Sequence, residues 1–201
     1  MNLIPADRKA LIVVLVDLQP QFIDTSSSND EAVIGRIQQL LLMCDTLNIP
    51  VLATVEEPIA QKGSLVNSLA KWFPKSGIVF SKLAYDLTAE TDIRNALLKS
   101  NRKQVAVVGA ETDVCVMQSV LGLLRMGLDV FLMEDCVMSS TTDTSAALAR
   151  MYACGAIPST WKSLYYELIR TDDEDNRLRE DPNMMRKGFI PPEKLPSNRS
   201  G

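Results

Sequence analysis

Residues Leu11 to Leu18, LIVVLVDL, form an apolar run interrupted only by Asp17. The run falls well short of the ~20 residues that a membrane helix requires. Its β-branched content is that of a central parallel strand buried on both faces. Gln19-Pro20-Gln21-Phe22 must then leave the sheet, because proline cannot donate to a strand ladder. Asp17 is therefore expected at the carboxyl edge, where open α/β sheets place their ligands. A carboxylate closing an apolar strand is costly unless it is used; the alternative reading is a helix or loop cap.

The rest of the chain repeats this alternation. A polar loop over 24–30 leads into an amphipathic helix over Glu31 to Leu47, with apolar residues at Val33, Ile34, Ile37, Leu40, Leu41 and Cys44. Pro50 to Val55 reads as a strand leading into Glu56-Glu57-Pro58, and these glutamates are expected to face water or a subunit contact, with pocket-shaping as the alternative. A short helix over Leu65 to Phe73 precedes a strand, Ile78 to Lys82, that ends on an ammonium. A helix over Glu90 to Lys99, strands over Gln104 to Ala110 and Asp129 to Glu134, a helix over Thr144 to Tyr152 capped by Gly155, a strand over Ala156 to Thr160 and a helix over Trp161 to Arg170 complete the series. Strands alternating with helices predict a three-layer α/β/α domain over residues 1–170, with a mainly parallel sheet of about six strands. Residues 171–201 are charged, proline-bearing and aperiodic, and read as a C-terminal extension.

The stretch Val105 to Met126 passes from a β-branched run through Gly109-Ala110 into an apolar-periodic helix, with Asp113 as the expected N-cap. Cys115 then lies in the first helical turn, where free N–H groups and the helix dipole favour a thiolate. Packing in the core is the alternative for such a cysteine.

Composition removes whole classes of mechanism. The chain has no histidine, so Ser-His-Asp and Cys-His catalysis and imidazole metal sites are excluded. No metal and no cofactor are expected. A net charge of -4 without a basic tract gives no electrostatic support for a nucleic-acid or membrane partner, which leaves a small-molecule substrate. Four scattered cysteines without a C-x-x-C pair, and an N-terminus lacking a cleavage pattern, predict a reduced cytoplasmic location.

Three strands thus deliver Asp17, Lys82 and Cys115 to one edge. VDLQPQF, SKLAYDLT and VVGAETDVCVMQSVLGLLRMG, in that order and followed by DVFLMEDCVMSS, resemble the isochorismatase-like cysteine hydrolases over about residues 11–168. The resemblance implies that Cys115 attacks a carbonyl after yielding its proton to Asp17, with Lys82 holding the carboxylate. It further implies a cis peptide between Ala110 and Glu111 and an oxyanion hole from the Glu111 and Cys115 N–H groups. Gln19, Phe22, Glu56 and Tyr85 are the expected substrate-binding residues, on or beside the loops that wall the pocket.

Nicotinamidases of similar fold bind a metal through an aspartate and histidines beyond the second strand. Here that region reads TVEEPIAQ. The chain looks closer to the isochorismatase domain-containing branch. The expected function is metal-independent cleavage of a small amide or ureido C–N bond, with a non-catalytic binding or scaffolding protein as the alternative. A homo-oligomer is expected, with Gly122 to Gly127 and the segment from Thr171 at subunit contacts.

Overall fold

The computed structural model describes residues 4–24 and 27–195; residues 25 and 26 of the polar loop and 196–201 of the extension lie outside them. Six strands form one sheet: β1 (Leu11–Val16), β2 (Val51–Glu56), β3 (Ile78–Lys82), β4 (Gln104–Ala110), β5 (Asp129–Met138) and β6 (Ile157–Ser159). Their order is β3-β2-β1-β4-β5-β6, and every pairing is parallel. The chain builds outward from β1 to β3, then returns to lay β4 on the other side of β1. The carboxyl ends of β1 and β4 therefore flank the point where the winding reverses, and the crevice of such sheets opens there.

The six residues of β1 are all buried, and their side chains alternate between two cores. Leu11, Val13 and Leu15 pack with α1 (Ser28–Leu47) and α7 (Trp161–Leu168). Ile12, Val14 and Val16 pack with α4 (Thr91–Ser100) and α5 (Met117–Arg125). Burial of each such side chain is worth ~1.5–3 kcal/mol against exposure, so β1 anchors both layers. The remaining helices before the extension are α2 (Ile59–Lys62), α3 (Asn67–Ala70) and α6 (Ser145–Ala153).

Some elements differ from the sequence reading. The helix expected over Leu65 to Phe73 contracts to α3, which follows a turn at Val66 and ends before Pro74. β5 does not stop at Glu134 but continues through Asp135 and Cys136 to Met138. A register shift opposite Val107 and Gly109 absorbs the extra residues and lets β5 resume pairing with Gly109 and Ala110. Gly109 is required by this geometry. Its φ is 137°, and a β-carbon there would stand 2.1 Å from the Val16 carbonyl oxygen.

Beyond α7 the chain forms α8 (Asp172–Arg179) and α9 (Pro182–Lys187). Thr171 caps α8 by accepting the Glu174 N–H, and Asp181 caps α9 by accepting those of Asn183 and Met184. Leu178 and Met184 join the core on the α1 side, Phe189 stacks on Tyr165 with centroids 5.8 Å apart, and Lys187 pairs with Asp45. The chain's own core therefore receives the apolar residues of this segment, apart from the exposed Met185 and Ile190. No helix among the described residues is long and apolar enough to cross a membrane.

Candidate active site

Asp17 follows β1 with a φ of 48°, so the chain turns sharply as it leaves the sheet. Its Oδ1 accepts the Thr54 hydroxyl at 2.8 Å, and its N–H reaches the Thr54 carbonyl at 3.1 Å. The edge strand β3 pairs Lys82 with Glu56 in register and sends the Lys82 side chain inward, where it is fully buried. Its Nζ lies 2.7 Å from Asp17 Oδ2, 3.0 Å from the Ala84 carbonyl, 3.7 Å from Cys115 Sγ and 3.8 Å from Glu56 Oε2. The Asp17 contact is ionic and lies outside hydrogen-bond alignment, so Oδ2 keeps a lone pair without an aligned donor.

Cys115 sits in a π-helical turn, Thr112–Val116, between β4 and α5. The Ala110–Glu111 peptide is cis, and the Glu111 carbonyl accepts the Val114 and Val116 N–H groups. Asp113 is not the N-cap. Glu111 occupies that position, while Asp113 accepts the Ser139 hydroxyl at 2.6 Å and ties the turn to the end of β5.

The thiol is 4% exposed and donates to Glu56 Oε2 at 3.1 Å. Burial, and then the charge of Asp17, push its pKa well above the ordinary thiol value, against the pull of Lys82. The expectation of a resting thiolate is thereby corrected: two carboxylates and desolvation outweigh the ammonium and the helix start. Glu56 behaves oppositely. Burial raises its pKa, but hydrogen bonds from Lys62 and Cys115 and the charges of Lys82 and Lys62 bring it below the ordinary carboxylate value.

Glu56, expected among the substrate-binding residues although the EEP glutamates were expected chiefly to face water, faces the thiol and is only 6% exposed. Its Oε1 takes a short ionic contact from Lys62, which also donates to the Glu57 carbonyl at 2.9 Å. Gln19 is engaged with backbone groups. Its Oε1 accepts the Glu56 N–H at 2.6 Å, and its Nε2 donates to the Glu56 and Gly63 carbonyls at 3.1 and 2.6 Å. Phe22 is half-buried with Lys62 Nζ 6.0 Å from its ring centre, and Tyr85 is 51% exposed on the loop after β3. Thr54 and Lys62 escaped the sequence reading. A threonine inside the apolar run PVLATV was the available signal for the first; nothing local marked the second.

Asp17, Glu56 and Cys115 offer ligand atoms within 4.8 Å of one another, a set able to hold a cation. The Lys82 ammonium already contacts all three, so a divalent ion would have to displace a fully buried side chain. The residues present therefore fit a resident ammonium and not a metal.

A six-stranded parallel sheet covered by helices on both sides, with this edge at its winding reversal, is the isochorismatase-like α/β fold. The isochorismatase domain matches residues 9–163, and the chain belongs to that family. Isochorismatase domain-containing protein 2A of Mus musculus is 31% identical over 161 residues, covering 79% of this chain and 75% of the relative. The MAR1 ribonuclease structure from Caenorhabditis elegans superposes with a TM-score of 0.81 at 23% identity, covering 98% of this chain and 97% of that one. The YcaC gene product of Escherichia coli, described as an octameric hydrolase of unknown specificity, gives a TM-score of 0.77 at 24% identity, with 88% of each chain covered.

Proposed function

We propose that this chain is a metal-independent cysteine hydrolase that cleaves an amide or ureido C–N bond of a small molecule. The observation that carries the reading is the buried contact of Lys82 with both Asp17 and Cys115. Burying two opposite charges beside a thiol is costly and stabilises a fold poorly compared with apolar packing, so chemistry is the better account of their presence. Family membership supports a hydrolase.

In the proposed reaction the Cys115 S–H proton passes to Asp17 Oδ2 as sulfur bonds to the substrate carbonyl carbon. The carbonyl π pair moves to oxygen, which the Glu111 and Cys115 N–H groups receive; one such donor is typically worth roughly 10²–10³ in rate. Protonated Asp17 then gives its proton to the departing nitrogen, the C–N bond breaks, and a thioester remains. Water yields a proton to Asp17 while its oxygen attacks the thioester. The C–S bond breaks, and the sulfur recovers its proton from Asp17. Lys82 holds the Asp17 carboxylate in place through their 2.7 Å contact and lies 3.7 Å from the reacting sulfur.

The described cysteines are all free thiols, which suits a reduced, cytoplasmic setting. Ammonia release across a panel of small amides tests the reading. Wild type should turn over at least one amide and Cys115→Ala none; equal release by the two proteins overturns it.

A further inference from the structure

The two oxygens of Glu56 have separate partners. Oε1 is held by Lys62 and Oε2 faces the site, where its donor is the Cys115 S–H at 3.1 Å. Gln19 clamps the Glu56 backbone through both its N–H and its carbonyl, so the carboxylate is held at the site. Once the thiol proton moves to Asp17, Oε2 loses this donor. Lys82 Nζ at 3.8 Å is beyond hydrogen-bond range, and a buried carboxylate oxygen without a donor is strongly disfavoured. A substrate N–H next to the carbon that sulfur attacks would replace the lost donor.

We infer that Glu56 is a specificity-determining residue that accepts an N–H from the substrate beside the reacting carbonyl. It thereby selects primary amides and ureido groups over esters, which carry no such donor. The inference rests on the cysteine-hydrolase reading and assigns its selectivity to a residue outside the Asp17, Lys82 and Cys115 set. Lys62 sets the polarity of the arrangement. By holding Oε1 it leaves a bare acceptor facing the thiol, and in Glu56→Gln it would hold the amide oxygen and turn the NH₂ group inward, presenting a donor to substrate instead.

Iodoacetamide and methyl iodoacetate form a matched pair for the test. In each, a thiol sulfur bonds to the methylene carbon as iodide leaves, with the thiol proton released to the buffer; only the neighbouring group differs, CONH₂ against CO₂CH₃. Cys154 is exposed and serves as the reference within the same molecule. Peptide mapping after brief labelling should give an amide-to-ester rate ratio at Cys115 at least about tenfold above that at Cys154, since sites built to pair an N–H reject analogues lacking it. In Glu56→Gln the Cys115 ratio should fall to the Cys154 value or below, and in Glu56→Asp it should stay above it. Equal ratios at the two cysteines in wild type overturn the inference alone, and the wild-type comparison stands even where a variant fails to fold. An unchanged ratio in folded Glu56→Gln also overturns it. A Cys115 that reacts with neither reagent overturns the inference together with the hydrolase reading beneath it.

Discussion

Lys82 Nζ stands 2.7 Å from Asp17 Oδ2, and neither side chain has any exposure to solvent. Removing one partner would strand the other charge in the interior. Lys82→Met is therefore expected to destabilise the fold by about 3–5 kcal/mol, far more than loss of an exposed ion pair would. Asp17→Asn combined with Lys82→Met should recover part of that loss, because the pair is removed together. Urea titration of the two single variants and the double variant measures the coupling, and strictly additive losses would reject it.

Gln19 joins the exit of β1 to the end of β2 through two hydrogen bonds to the Glu56 backbone, and to the turn after α2 through a third to the Gly63 carbonyl. Gln19→Ala leaves the buried Glu56 N–H without its acceptor, at a cost of about 1–3 kcal/mol. The same variant should loosen Glu56 and slow turnover without abolishing it. A denaturation midpoint equal to wild type would show that Gln19 does not brace the site.

Stability is expected to fall at alkaline pH. Burial, aided by Asp45, Asp17 and Asp135 respectively, raises the pKa of Cys44, Cys115 and Cys136 in the folded chain. As pH rises past about 8.5, the unfolded chain releases thiol protons that the folded chain retains, so unfolding becomes progressively more favourable; below that pH the contribution is complete. Thermal melts from pH 7 to pH 10.5 should show the midpoint decline beginning near that point. The decline should be shallower in Cys44→Ala, and identical slopes in the two proteins would rule out this cause.

Association should be visible by light scattering at micromolar concentration, as a mass several times 22.2 kDa. Exposed apolar side chains lie on the edge strand and just beyond it: Ile78, Val79, Leu83 at 80% and Tyr85 at 51%. Gly122 packs against Asp86 and Thr88 of its own chain, so the β3 edge is the better candidate for a subunit contact than the α5 segment. Val79→Lys should reduce the mass. A wild-type mass near 22.2 kDa would exclude an oligomer.

The sheet was legible because its inner strands are short β-branched runs closed by polar or turn residues, and each central strand is buried on both faces. Asp17, Lys82 and Cys115 were legible for a related reason, since a polar group that ends or follows such a run must emerge at the sheet edge. Glu56 was not. Nothing in EEP tells whether the first glutamate points over the sheet or away from it, and only the register of β2 against β3 and the Gln19 clamp decide that. The continuation of β5 was equally hidden, because it depends on a shift opposite Gly109 in another strand. The helices after Thr171 carried cap signals, Thr171 with Glu174 and Asp181 before Pro182, but too few apolar residues for a period to show.

The φ of 48° at Asp17 links two requirements that are usually met by different residues. Left-handed backbone is tolerated by glycine, asparagine and aspartate and resisted by residues with longer or branched stems. Of these three, only aspartate can both occupy the bend and accept a proton. Few residues can replace it: asparagine and glycine keep the turn without the carboxylate that faces Lys82, and glutamate keeps an acid while resisting the turn. Replacing Asp17 would also strand the buried Lys82 ammonium, so the bend and the ion pair constrain this one position together.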